Sequence, residues 1–170
     1  MSSKPRSQSN LAALDAVLKD RQGEWWDSFY SNRGRPVPFF VGSPDEGLWK
    51  RVNCEMIPRG RALDLDSGCF PHMPPHRRSP YVELVVDALK PGGQFAMTCF
   101  RPEGGSGFSD DKVYERKTLG DGFGYTDTQL QKIWSDPLKI WELRQMEQPP
   151  EESNLFGLSF LWALLAQRET

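Results

Sequence analysis

The stretch GRALDLDSGCFPHMPPHRR, Gly60 to Arg78, decides how this chain is read. Its front part, Arg61-Ala62-Leu63-Asp64-Leu65, is a short run bounded by Gly60 on one side and Asp66-Ser67-Gly68 on the other, and it reads as a β-strand. Its back part carries Pro71, Pro74 and Pro75. Proline lacks a backbone N–H and clashes with the preceding turn, so this part reads as a loop. In a parallel α/β unit the strand runs into a tight turn and a crossover helix. Here the proline-rich loop follows at once, with no glycine-rich turn and no helix between.

Outward from this joint, the pattern alternates. Met1 to Ser9 is a polar tail. Asn10 is placed to cap a helix in which Leu11, Leu14, Val17 and Leu18 share one face, with Gly23 as its stop. An aromatic cluster, Trp25 to Tyr30, leads into an extended segment holding Pro36 and Pro38. Ser43-Pro44-Asp45-Glu46 is a helix start for Leu48, Trp49 and Val52, and that helix stops before Pro58. Downstream, Ser79-Pro80 opens a helix with Tyr81, Leu84, Val85 and Leu89. Leu89-Lys90-Pro91-Gly92-Gly93 is a turn, and Gln94 to Phe100 a strand. Arg101 to Asp111 is rich in glycine and serine and is expected as a mobile loop. Thr126 caps a helix with Leu130, Ile133 and Trp134. Leu138 to Glu147 and Phe160 to Ala166 read as two final strands joined through Pro149 to Asn154. Helix, helix, strand, helix, strand, helix, strand, strand is an α/β order: a parallel sheet flanked by helices, closed by an antiparallel hairpin.

Composition narrows the function classes. The chain has 170 residues, enough for one domain with a real core. Net charge is −2 and the isoelectric point about 5.7, so no basic footprint points to nucleic acid. No apolar run approaches the ~20 residues that span a bilayer, so no membrane is expected. The first residues carry no apolar stretch of the signal-peptide kind, which gives a cytoplasmic expectation. Three cysteines, an odd number, fit reduced thiols better than a disulfide framework. Cys69, His72 and His76 have a C-x2-H-x3-H spacing, but a zinc site adds a fourth ligand and the prolines keep the two histidines off one helix face. No metal is expected.

Four segments together resemble class I S-adenosylmethionine-dependent methyltransferases, and are most similar to the bacterial small-molecule enzymes related to thiopurine and tellurite-resistance methyltransferases. They are Trp25 to Phe40, similar to the segment lying over the cosubstrate; Leu89 to Gly93, similar to the turn before the fifth strand; Asp66 to Arg78, similar to the loop after the fourth strand; and Leu119 to Arg168, similar to the terminal helix and strand hairpin. The resemblance covers nearly all of the chain after Gln22. It departs from the family after Leu65, where the glycine-rich turn, the second strand with its acidic residue, and the third strand are missing.

The resemblance therefore implies a shortened Rossmann-like α/β fold of about four strands, mostly parallel, with a C-terminal antiparallel hairpin and helices on both faces. It implies a single domain over residues 10–170: a helical lid at 10–58 and a truncated core at 59–170. The expected strand order is the fused strand, then the family's fifth, seventh and sixth. The fused strand becomes a new sheet edge, which invites pairing with a second copy or cover from the N-terminal helices. A homodimer through that edge is the expectation.

By resemblance, the cosubstrate S-adenosylmethionine is held by Trp26, Tyr30, Arg35, Phe40, Asp64, Asp66, Ser67, Gly68 and Cys69, with His72 as a contact or general base; the alternative readings are a surface loop histidine for His72 and a plain turn glycine for Gly68. Aromatic faces and carboxylates suit a sulfonium cation. The same aromatics serve equally as core of the lid, Asp64 and Asp66 equally as loop carboxylates capping amides, and Arg33 and Arg35 equally as ion-pair partners of the acids at Asp45. Arg77-Arg78 reads as a solvated approach to a helix. The implied function is methyl transfer to a small-molecule acceptor. The alternative is a non-catalytic, self-associating relic that does not bind the cosubstrate, because the glycine-rich loop is missing.

Overall fold

A computed structural model of the chain describes residues 7–31, 43–53, 62–67 and 69–169. Four strands form one sheet: β1 (Ala62–Ser67), β2 (Gln94–Phe100), β3 (Lys139–Gln145) and β4 (Leu161–Gln167). Their order is β1-β2-β4-β3. β1 runs parallel to β2, while β2–β4 and β4–β3 are antiparallel. The class is α/β, but the sheet is not mostly parallel as expected: of its three pairings only β1–β2 is parallel. Five helices accompany the sheet among the described residues: α1 (Gln8–Ser31), α2 (Glu46–Asn53), α3 (Arg78–Ala88), α4 (Asp110–Arg116) and α5 (Asp127–Trp134).

Residue alternation explains how the layers pack. Phe95, Met97 and Cys99 of β2 are buried on one face, with Ala96 and Thr98 half-buried on the other. The β2–β4 register sets Ala166 and Leu164 beside Phe95 and Met97. This face meets Leu14, Phe70, Val85, Val113, Leu130 and Trp134. The Trp134 ring lies 4.7 Å from Phe95 and 5.6 Å from Phe70, centroid to centroid. β4 is buried on both faces, since Ala163, Leu164, Leu165 and Ala166 are all inaccessible. On the opposite face α2 covers the sheet: a Cβ on Gly47 would touch Ala163 at 3.4 Å, and Thr98 donates its hydroxyl to the Asp45 carboxylate at 3.2 Å.

Several boundaries differ from the sequence reading. α1 does not stop at Gly23 but continues to Ser31, so the aromatic cluster at 25–30 is the last part of a helix. Gly23 costs a helix only about 1 kcal/mol against alanine, which the rest of the helix outweighs. Asn10 lies inside α1, because Ser7 supplies the first carbonyl, accepting from Asn10 N and Leu11 N. α2 begins at Glu46 rather than at Ser43-Pro44. Residue 45 is used in a bridge to Phe156: Phe156 N donates to Pro44 O, and Glu46 N to Phe156 O, both at 2.8 Å. α3 starts one residue early, at Arg78, with Ser79 and Pro80 in its first turn, where a missing N–H goes unnoticed.

The segment at 101–111 is not a featureless loop. It holds a 3-10 turn at Pro102–Gly104 and the first residues of α4, and Ser106 N donates to Gly122 O at 2.7 Å. Ser109 caps α4, accepting from Lys112 N, and Asp110 and Asp111 fill its first turn. The cap of α5 matches expectation: Thr126 and Gln129 form a reciprocal capping box. The turn at 89–93 also forms, with Gly92 at φ +75, a conformation that side chains rarely adopt. The extended segment expected at 32–40 lies outside the described residues.

Candidate functional site

The segment after β1 is built from two 3-10 turns, Phe70–His72 and Pro75–Arg77, each with a proline in its first positions. His72 N donates to Cys69 O at 2.9 Å, and Arg77 N to Pro74 O at 2.9 Å. Phe70 anchors the first turn. Its ring is fully buried and lies 5.2 Å from Tyr125 and 5.9 Å from Tyr81. With Phe70 pointing into the core, Cys69 is left exposed and His72 half-buried at the carboxyl end of the β1–β2 pair.

The His72 ring meets Phe100, the last residue of β2, edge to face at 5.8 Å. Gly122, at φ +100, forms its other support: a Cβ there would lie 2.9 Å from His72 Cε1. Burial pushes His72 below its ordinary 6.5, and the charge of Asp121 pulls partly the other way. The imidazole is therefore neutral at neutral pH and able to accept a proton.

Helix α1 supplies the facing wall. Between it and residues 69–77 lies an open pocket of about 510 Å³, whose lining includes Asp15, Lys19, Cys69, His72, Met73 and Arg77. Asp15 is fixed from two sides: Arg77 Nη2 donates to Oδ2 at 2.6 Å, and His76 Nε2 lies 2.9 Å from Oδ1. The Arg77 hydrogen bond, foremost, holds the Asp15 carboxyl below its ordinary 3.8 despite some burial. The same pairing raises the Arg77 guanidinium further still. A carboxylate can only accept, so Nε2 of His76 carries the hydrogen. In the neutral ring Nδ1 then accepts from the Tyr114 hydroxyl at 2.9 Å, and that oxygen accepts from His76 N at 3.1 Å. Asp15, His76 and Tyr114 thus tie α1, the second 3-10 turn and α4 together.

Cys69 and His72, expected from sequence, are brought together on this pocket. Asp64, Asp66 and Ser67 stand in β1 opposite Ala96, Met97 and Thr98, with a bulge between Asp64 and Asp66. The strand runs through Ser67, past its expected end at Leu65, so Asp64 sits mid-strand rather than at the strand end. Trp26 and Tyr30 lie on α1, about 16 and 22 Å along its axis from Asp15. Arg33, Arg35, Phe40 and Gly68 lie outside the described residues.

Asp15, Lys19, Met73 and Arg77 were not expected. Arg77 and Arg78 are not a merely solvated approach: Arg77 pairs with Asp15, and Arg78 pairs with Asp110 at 2.9 Å and stacks 4.3 Å over the Phe123 ring. No local pattern links Asp15 to partners 61 and 62 residues away. His76 is held between Asp15 and Tyr114, away from any joint ligation with Cys69 and His72. Among the described residues no group of three or more His, Cys, Asp or Glu is placed to hold a metal ion. None of the described helices is long and apolar enough to cross a membrane.

No protein-family model and no curated protein matches the chain. Among solved structures, the chain is similar to a SAM-dependent methyltransferase from Methanosarcina mazei, at 16% identity and a TM-score of 0.43. The match covers 64% of this chain and 59% of that protein, so this chain spans about three fifths of its length.

Proposed function

We propose that the chain is an S-adenosylmethionine-dependent methyltransferase-like protein acting on a small molecule, with its ligands at the pocket between α1 and residues 69–77. One observation carries the reading. The pocket opens at the carboxyl end of the parallel pair β1–β2, which is where open α/β sheets bind ligands. Its volume falls within the range of about 300–1,000 Å³ usual for small-molecule sites. The end of β1, with Asp66, Ser67 and Cys69, is the part of the chain that would hold the cosubstrate. When bound, that group supplies an electrophilic methyl carried on a sulfonium. The chain's own work is then positioning, which supplies much of the rate in a two-reactant displacement, and removal of a proton. His72, kept neutral by burial beside Phe100 and Gly122, is the residue that accepts it.

A second reading has its own observation. β1 runs into 3-10 turns, and the next described helix, α3, begins only at Arg78. A glycine-rich turn opening a helix, whose N-terminal amides would face an anion, does not follow the strand among the described residues. That favours a non-catalytic binding protein that keeps the pocket without the cosubstrate. Calorimetric titration of the folded protein with S-adenosylmethionine and S-adenosylhomocysteine separates the two. Saturable binding of both is expected; no heat at millimolar ligand overturns the methyltransferase reading.

Self-association belongs to the same proposal. β1 is an outer strand, and β2 is its only partner among the described strands. Sedimentation equilibrium is expected to show a dimer. A monomer across the whole concentration range refutes pairing through this edge.

A further inference from the structure

We infer that the pocket between α1 and residues 69–77 is built for a small organic anion, an apolar body bearing one carboxylate, received by Lys19 and Arg77. This deepens the reading above and rests on its placing of the ligand site in this pocket. The argument is one of charge and prior engagement. Among the described residues, three charged side chains line the pocket: Asp15, Lys19 and Arg77. Both oxygens of Asp15 are already used, one by His76 and one by Arg77. Lys19 has no ion-pair partner among the described residues, and its side chain is exposed. Arg77 gives a single Nη2 to Asp15 and is 58% exposed, which leaves most of its five donors for a ligand. The described lining thus carries a net positive charge in a protein whose overall charge is −2.

The arrangement is also pre-organised. Tyr114 orients His76, His76 and Arg77 hold Asp15, and Asp15 in turn fixes the guanidinium at the rim. A fixed guanidinium matches the geometry of a carboxylate and loses little freedom on binding. Behind the rim, Leu18, Met73 and Pro74, with Cys69 and the neutral His72, offer an uncharged surface for the ligand's body. A ligand presenting a cationic group at this rim, away from the end of β1, would meet Lys19 and Arg77 with the Asp15 carboxylate already occupied.

Benzoate and its neutral isostere benzamide test the inference, followed by NMR of the two histidine rings, the only ones in the chain. Benzoate is expected to bind about ten-fold more tightly than benzamide, as a charge-assisted hydrogen bond gives. It is expected to shift the His72 signals more than those of His76. Lys19→Gln, an exposed change checked for unaltered thermal unfolding, is expected to weaken benzoate about three-fold and leave benzamide unchanged. Equal binding of the two probes, or benzoate binding untouched by Lys19→Gln, overturns the inference. The cosubstrate titration is read separately. Benzoate discrimination without cosubstrate binding overturns methyl transfer alone, and cosubstrate binding without discrimination overturns the anion site alone.

Discussion

The Glu46 carboxylate receives both Nη atoms of Arg144, Nη1 at 2.7 Å and Nη2 at 3.0 Å, while its side chain is only 1% exposed. Glu147 N adds a third hydrogen bond at 2.8 Å, and Lys50 Nζ stands 3.6 Å away. Arg144 also donates through Nε to Glu142. This cluster pins the start of α2 to β3 across the second face of the sheet. Breaking a buried pair costs about 3–5 kcal/mol when the charge left behind has no other partner; here Lys50 and the Glu147 amide still face Glu46, and Glu142 still faces Arg144, so that range is the upper end. Glu46→Ala and Arg144→Ala are each expected to lose up to that much stability in urea unfolding, with the double variant losing far less than the sum. Additive losses would show that the pair is not coupled.

The same cluster sets the acid limit of the fold. Burial pushes Glu46 up, but the hydrogen bonds from Arg144 and the Glu147 amide outweigh it and hold the carboxyl below its ordinary 4.5. Below that value the unfolded chain binds the proton more readily, so the contribution is whole above about pH 4.5 and is lost as pH falls through the lower folded value. Asp15 adds a similar loss below its ordinary 3.8. Urea midpoints measured from pH 6 to pH 3 (about the usual working range for carboxylates) are expected to fall steeply at the acid end. Glu46→Gln should flatten that fall, and an unchanged slope would assign the acid loss to other groups.

His72 titrates in a different window. Its folded value lies below 6.5 because of burial, so folding favours the neutral ring. The unfolded chain takes up the proton first as pH drops below 6.5, and stability declines from there down to the folded value. NMR titration is expected to give one of the two ring signals a midpoint below 6.5, and His72→Gln to remove that signal. A midpoint for His72 at or above 6.5 would remove the basis for its role as a proton acceptor.

Gly122 supports that ring directly. Its φ of +100 and the 2.9 Å that would separate an added Cβ from His72 Cε1 make alanine doubly unfavourable there. Gly122→Ala is expected to cost about 1–3 kcal/mol in unfolding and to move the His72 ring signals while leaving those of His76 in place. A shift of both histidines alike would mean a general loosening of the loop.

Local signals in the chain were legible where the physics is local. The Thr126 cap, the Lys90–Gly93 turn and the strand at Gln94 to Phe100 each depend on residues a few positions apart. Two local signals misled. Gly23 looked like a helix stop, yet a single glycine is outweighed by the long helix around it. Ser43-Pro44 looked like a helix start, yet residue 45 is claimed by its bridge to Phe156. One was overlooked: Ser109-Asp110-Asp111, a cap followed by acids, sat inside what read as a glycine-serine loop.

By itself, then, the sequence determined the alternating α/β class, every strand and every helix but α4, the burial of β4, and the presence of Cys69 and His72 just beyond a strand end, because periodicity, caps and proline act within a few residues. The tertiary structure alone decided which charges meet. Asp15 finds His76 and Arg77 at separations of 61 and 62 residues, and Glu46 finds Arg144 at 98. Those pairings depend on the strand order β1-β2-β4-β3 and on how α1 and α2 settle against the rest of the chain. Hydrogen bonds and ion pairs act over only a few ångströms, so a carboxylate's partner is fixed by where the folded chain puts it, and the pocket that these pairs frame does not exist until the elements are packed.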